Sequence, residues 1–200
     1  AMAGRMARAA AVVPATLTDE AGITAWITPE ADVLMRLVRA CQKGAGAAPA
    51  LNAWFDAERL AVRRHARLAL GIAVDAPGGL YVPVLEVPEA GPDAAFRARL
   101  DTVVAAIRAR RPVAETRATP TLTLSSYGTL GGGHAALVVM PPQVAILGAG
   151  RARGTVGWRD GTPEPRMALP LSLSVDHRAV TGGEAARFLA AVRADLESPA

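Results

Sequence analysis

One stretch near the end of the chain constrains its fold more than any other. From Leu169 the sequence reads Leu-Pro-Leu-Ser-Leu-Ser-Val, with large apolar residues alternating with small or polar ones. That period of two is the signature of a strand. The strand runs directly into Asp176-His177-Arg178; a glycine pair, Gly182-Gly183, follows, and then an amphipathic segment over 184–196. The pattern predicts strand, tight turn and helix in succession, with a histidine at the junction. A rigid strand end is a place where a side chain can be held at a cleft.

The 200 residues suffice for one sizeable core. Half of them are apolar and 20% are charged, a globular composition. The apolar runs are too short, or too broken by Gly, Pro and Arg, to span a membrane. The first residues carry no long apolar stretch of a secretory signal. The single cysteine, Cys41, leaves no intrachain disulfide and fits a reducing cytoplasm; in a helical stretch it reads as core. The net charge is +4. The arginines are scattered among carboxylates, with no basic run interleaved with aromatics, so the pattern does not point to nucleic acid. The basic balance favours an anionic ligand. No pair of His or Cys has metal-ligand spacing. Gly131-Gly132-Gly133 lacks the Lys-Ser or Lys-Thr of a phosphate-binding loop.

Along the chain, residues 12–19 read as an edge strand, because Pro14 cannot donate to a ladder. Pro29-Glu30 opens a helix over 31–43, which the Gly-rich segment 44–49 ends. Strands are expected at 59–64, 67–74 and 80–84, and a helix over 94–110 with Phe96, Leu100, Val103 or Val104, and Ile107 at helical spacing. Arg111-Pro112 ends that helix. A strand over 121–125 leads into a Gly-rich loop, 127–133. Further strands are expected at 135–139, 143–149, 154–158 and 166–176, and a last helix over 184–196. Strands and helices do not alternate strictly, which favours an α+β sandwich in one domain, residues 1–200, over a doubly wound sheet.

Several blocks, in order along nearly the whole chain, carry a family resemblance. They are Val12-Val13-Pro14-Ala15-Thr16-Leu17-Thr18-Asp19, Leu51-Asn52-Ala53, Gly71-Ile72-Ala73-Val74-Asp75-Ala76-Pro77-Gly78-Gly79-Leu80, Leu122-Thr123-Leu124-Ser125-Ser126-Tyr127-Gly128, Pro141-Pro142-Gln143, and the Asp176-His177-Arg178 turn. Together they resemble the catalytic domain of the dihydrolipoamide acyltransferases of 2-oxo acid dehydrogenase complexes. These belong with chloramphenicol acetyltransferase in one superfamily. The resemblance implies a trimeric sandwich, a mixed sheet with flanking helices. It implies transfer of an acyl group from a lipoyl arm on a separate domain to the thiol of coenzyme A, or to the same thiol on an acyl carrier protein. Other subunits of such a complex would be partners, and no metal is implied.

Acyl transfer between thiols needs a base for the attacking thiol and a donor for the developing oxyanion. His177 is the natural base, since imidazole titrates near neutrality. By the resemblance Ser125 is the oxyanion donor, contributed by an adjacent protomer, with no acyl-enzyme intermediate. Asp176, Arg178, Thr181 and Gly182 are the supporting residues. Read without the family, His177 is a hydrogen-bonded strand end, and Ser125 and Ser126 are turn formers. His134 reads as a loop residue and His65 as a solvated strand end.

The chain departs from the family pattern in three places. Thr181 stands where an Asp is expected four residues after the histidine. The segment between Trp26 and Leu34 is shorter. The chain stops at Glu197-Ser198-Pro199-Ala200 without the apolar tail that joins trimers, so a discrete trimer is expected. Thr181 is expected inward, hydrogen-bonded beside His177, with a compensating change at Arg5, Arg8 or Arg178. It is also the best support for the alternative, a weak or inactive acyltransferase-like scaffold.

Overall fold

The computed structural model describes residues 2–199, and the side chains of all of these except residues 2, 5 and 8. Among the described residues there are four α-helices: α1 (Met2–Ala9), α2 (Val33–Ala47), α3 (Ala94–Arg108) and α4 (Gly182–Glu197). Eleven strands run β1 (Pro14–Gly22), β2 (Ala53–Asp56), β3 (Ala61–Arg64), β4 (Ala69–Ile72), β5 (Val74–Ala76), β6 (Gly79–Tyr81), β7 (Val84–Glu86), β8 (Leu122–Ser126), β9 (Ala145–Ala149), β10 (Arg153–Arg159) and β11 (Thr162–Asp176). Seven of them form one mixed sheet in the order β1-β11-β9-β8-β4-β7, with β10 pairing onto β11. Strand β8 runs parallel to both β9 and β4, and the other pairings are antiparallel. Strand β1 ends the path, as its proline requires.

The alternation at 169–176 has a physical reason that goes beyond one buried face. Leu169, Leu171, Leu173 and Val175 join the main core with α2 and α4. Ser172 and Ser174 are also fully buried. Ser172 Oγ accepts from the Ala135 N–H at 3.0 Å, and Ser174 Oγ from the Leu137 N–H at 3.0 Å. Residues 135–139 were expected as a strand. They form none: they cross the sheet's second face, and serine hydroxyls replace ladder partners. Leu137 and Val139 pack there with Val12 and Ile146.

Helix α2 begins later and ends later than its composition suggested. Asp32 caps it, Oδ1 accepting from the Met35 N–H at 3.1 Å. Gly44 and Gly46 lie inside the helix instead of ending it. A side chain at Gly44 would collide with Phe188 and Val192, so glycine here permits close packing of α2 on α4. Arg36 closes the end of α4, its Nη2 donating to the carbonyls of Asp195 and Ser198 at 3.1 and 2.6 Å. Trp26, beside the shortened segment, donates from Nε1 to the Leu196 carbonyl at 2.5 Å.

Two elements fall outside the sequence expectations. Helix α1 covers residues for which no helix was expected, and β2 pairs with β3 as a separate hairpin. The expected strand 59–64 is a turn up to residue 60, and 67–74 breaks into β4 and β5 at Ala73.

Candidate active site at the end of β11

The turn after β11 is fixed by its backbone before any side chain acts. The Asp176 N–H donates to the Val144 carbonyl and the His177 N–H to the Val13 carbonyl, both at 2.8 Å. The Asp176 carbonyl then accepts from Ala179 and Val180, each at 3.0 Å. His177 is therefore clamped between two neighbouring segments while its side chain remains exposed.

Asp176 is only 2% exposed. Its carboxylate accepts from the Arg178 backbone N–H at 3.1 Å, from Nε at 2.9 Å and from Nη2 at 2.7 Å. The guanidinium thus binds in a fork, the geometry that suits arginine and carboxylate. That bond holds the Arg178 pKa above its usual range. The same guanidinium lies over the Phe55 ring, 5.0 Å from its centroid. Asp176 and Arg178 brace the turn on either side of His177.

Thr181 does not point inward. It is exposed and caps α4, its hydroxyl accepting from the Glu184 N–H at 3.3 Å. Glu184 reciprocates, accepting from the Thr181 N–H at 2.9 Å and from its hydroxyl at 2.8 Å. This is a capping box. The Thr181 hydrogen bonds hold the Glu184 carboxyl below its ordinary pKa, and Arg64 and Arg187 add to the effect. A carboxylate is thus supplied from position 184 to the loop that lacks one at 181. Glu184 was missed, although Thr-x-x-Glu opening a helix is legible in sequence. Of the arginines expected to compensate, Arg178 is committed to Asp176, and the Arg5 and Arg8 side chains lie outside the described residues. Gly182, expected to shape the turn, is the first residue of α4.

Ser125 sits at the other end of the sheet. It is half-buried near the end of β8, paired in register with Gly148. Ser126 is exposed. The loop after it is pinned: the Tyr127 N–H donates to the Ala149 carbonyl at 3.0 Å and the Arg151 N–H to the Gly132 carbonyl at 2.9 Å. A side chain at Gly128 would strike the Gly150 backbone, which explains the glycine there. His134 follows this loop, its Nδ1 3.2 Å from the Leu171 carbonyl. His65 is not solvated as expected: it packs edge-on against Trp54, 4.4 Å between centroids. Burial, with Arg63 adding to it, lowers its pKa.

Strand register sets the distance between the two principal candidates. Val175 pairs with Ala145 on β9, and Ser125 with Gly148 on the opposite side of that strand. His177 therefore lies about five residues, or roughly 16 Å, further along the sheet and two strand spacings away, for a separation of roughly 19 Å. Within one chain the two side chains do not meet.

A family model for the catalytic domain of 2-oxoacid dehydrogenase acyltransferases matches residues 1–200. The chain belongs to this family. The lipoamide acyltransferase component of the branched-chain alpha-keto acid dehydrogenase complex of Pseudomonas putida is 39% identical over 164 residues, covering 82% of this chain and 39% of that protein. The acetyltransferase component of the pyruvate dehydrogenase complex of Haemophilus influenzae is 34% identical over 165 residues, covering 80% of this chain and 29% of the relative. The chain thus spans well under half the length of either. Among solved structures, the dihydrolipoamide acetyltransferase of Azotobacter vinelandii superposes with a TM-score of 0.89 at 29% identity, over 98% of this chain and 87% of that one. The catalytic roles of a serine, a histidine and an asparagine have been investigated in that enzyme; their spacing equals that of Ser125, His177 and Thr181 here. Chloramphenicol acetyltransferase shares the fold, with a TM-score of 0.64 at 13% identity. The acyltransferase fold is the α+β mixed sheet with flanking helices described above.

Proposed function

We propose that the chain transfers an acyl group from a dihydrolipoyl arm to a pantetheine thiol, in a site shared by two protomers of a homotrimer. The observation that carries this reading is the pairing of chemistry with separation. His177 and Ser125 are the base and donor that acyl transfer needs, and the register puts them roughly 19 Å apart in one chain. A second copy that brings its His177 to this chain's Ser125 completes the site. The equal spacing of serine and histidine in the Azotobacter vinelandii enzyme supports the same pair.

The lipoyl arm supplies the acyl thioester, and coenzyme A, or a carrier protein's prosthetic arm, supplies the accepting thiol. His177 takes the proton of that thiol as its sulfur attacks the acyl carbon, and returns it to the dihydrolipoyl sulfur as the old carbon–sulfur bond breaks. Ser125 donates a hydrogen bond to the carbonyl oxygen while it carries charge. Asp176 and Arg178 hold the His177 backbone, and Thr181 with Glu184 orders the helix that follows. Thr181 was the main support for a non-catalytic scaffold; as a helix cap it leaves the histidine turn braced, which favours the enzyme. Residues 1–200 then act as one catalytic domain, working in the cytoplasm beside a lipoyl domain and the other subunits of a dehydrogenase complex.

Subunit mixing tests the shared site. With acyl-dihydrolipoamide and coenzyme A, His177→Ala should be inactive and Ser125→Ala slower by roughly 10²–10³. Refolded together, they should regain activity, because some interfaces then pair an intact Ser125 with an intact His177. No recovery in mixed trimers would place both residues in separate roles.

A further inference from the structure

Register fixes the face on which Ser125 stands. Ser125 aligns with Gly148 on β9, and Gly148 with Ser172 on β11, so the three form one row across the sheet. The Ser172 hydroxyl meets the 135–139 segment, which makes this the sheet's second face. Side chains alternate along a strand, so Thr123 and Tyr127 share that face with Ser125. The Tyr127 N–H donates to the Ala149 carbonyl at 3.0 Å, which carries the β8–β9 pairing one residue past the strand.

Gly148 is bare, and two side chains fill the space above it. A Cβ there would lie 2.6 Å from Leu137 Cδ1 and 3.0 Å from Tyr127 Cε1. The Tyr127 ring spans from this glycine to Gly132, where an added Cβ would lie 3.7 Å from Cε2. Tyr127 and Leu137 are both half-buried, so part of each stays open.

The tyrosine is pinned at both ends. Its hydroxyl donates to the Gly133 carbonyl at 3.1 Å. Its backbone carbonyl accepts from the Leu130 and Gly131 N–H groups at 2.9 and 3.2 Å. Gly131 and Gly132 have φ +118 and +89, a conformation that lets the loop fold back over the ring. On the inner side of Ser125, Thr123 is buried and its hydroxyl donates to Gln143 Oε1 at 2.7 Å. The open side is therefore bounded by Tyr127, roughly 7 Å along the strand from Ser125.

We propose that Tyr127, backed by Leu137, is the wall that limits the size of the transferred acyl group, and that this group is short and unbranched, acetyl or propionyl. The proposal rests on the acyl-transfer reading. With Ser125 holding the thioester oxygen, the carbon chain starts beside Ser125 and lies along the same face. The ring cannot swing aside for a branched chain without breaking its bond to Gly133, and Leu137 closes the space over Gly148. Each added methyl then meets a packed surface.

Competition among acyl groups tests the proposal. The kcat/KM of transfer to coenzyme A is measured with acetyl-, propionyl-, isobutyryl- and isovaleryl-dihydrolipoamide. The affinity of the corresponding coenzyme A thioesters is measured by calorimetry. Wild type should favour acetyl over isobutyryl by about tenfold or more in both. Tyr127→Leu and Leu137→Ala open the wall from two sides, and each should raise the isobutyryl-to-acetyl ratio about tenfold. If one of the two fails to fold, the other decides. A tyrosine that only supports the loop would lower every rate alike and leave the ratio unmoved. Wild type that takes isobutyryl as readily as acetyl would overturn the proposal, and so would ratios within about twofold of wild type in the folded variants. Thioester affinities ranked by size in a protein that transfers no acyl group refute the catalytic reading and keep the wall. Normal transfer with unmoved ratios does the reverse. Neither transfer nor thioester binding overturns both.

Discussion

The two ends of β11 obey different physics. From Ala168 to Asp176 every residue is buried. One face meets the helices and the other meets the 135–139 segment through Ser172 and Ser174. From Thr162 to Met167 the same strand projects with β10 as a ribbon. Val156, Trp158, Pro163 and Pro165 share one face of it, in register, with Trp158 68% exposed. The other face holds Arg159 and Arg166 around Glu164, at 2.7 and 2.8 Å. Exposed ion pairs of this kind add little stability. The comparison shows why the candidate histidine follows the buried end: a turn inherits the rigidity of the element that feeds it, and only the clamped end has rigidity to pass on.

The largest expected effect is His177→Ala, which should abolish transfer while leaving the melting temperature close to wild type, because the turn is held by backbone bonds. Wild-type turnover in this variant, measured with acyl-dihydrolipoamide and coenzyme A, would make the rigid end merely structural. Ser125→Ala should slow turnover by roughly 10²–10³, about 2.7–4 kcal/mol in barrier, with substrate binding nearly unchanged. Equal activity there would transfer the donor role to another group, with Ser126 the next to test.

The bracing of the turn should come next. Asp176→Ala removes the carboxylate that gathers Arg178 and its N–H, and should cost about 2–3 kcal/mol in urea unfolding. A cost near zero would mean that the buried strand end needs no such brace. Thr181→Val should cost about 1 kcal/mol through the lost cap. The Glu184 carboxyl has a depressed pKa, so its share of that stability is present above the ordinary glutamate value and is lost as pH falls through the lowered one. A Thr181→Val deficit that persists unchanged at low pH would break the pairing of the two residues. The smallest effect belongs to the ribbon: Trp158→Ser should alter the stability of the dissociated chain by no more than about 0.5 kcal/mol. A core-sized loss would show that the ribbon is not free of the sandwich.

Much of the sheet was legible because β8 and the second half of β11 carry a period of two, while β9 is a short apolar run. Helices α3 and α4 were legible from their apolar spacing, and the histidine turn from its place between strand and helix. The failures have physical causes. Residues 135–139 read as a strand because alternation records burial on a face and cannot tell a ladder from serine hydroxyls. Gly44 read as a terminator because propensity ignores the side chains of α4 that need its space. Thr181 read as an inward substitute for a carboxylate because attention to one position hid the capping box with Glu184.

Local pattern therefore specifies most of the strands and helices and puts a histidine at a strand end, whereas the donor role proposed for Ser125 comes from the family resemblance. Neither specifies the distance between the two residues. Strand order and register are set by long-range packing, since a strand's face preference is satisfied in many pairings. Only the assembled sheet, in which β8 and β11 run in opposite directions, decides that Ser125 and His177, each at the C-terminal end of its strand, lie at opposite ends of the sheet. Only the packed Gly-rich loop decides that Tyr127, unremarkable in sequence, is pinned over Gly148 beside that serine.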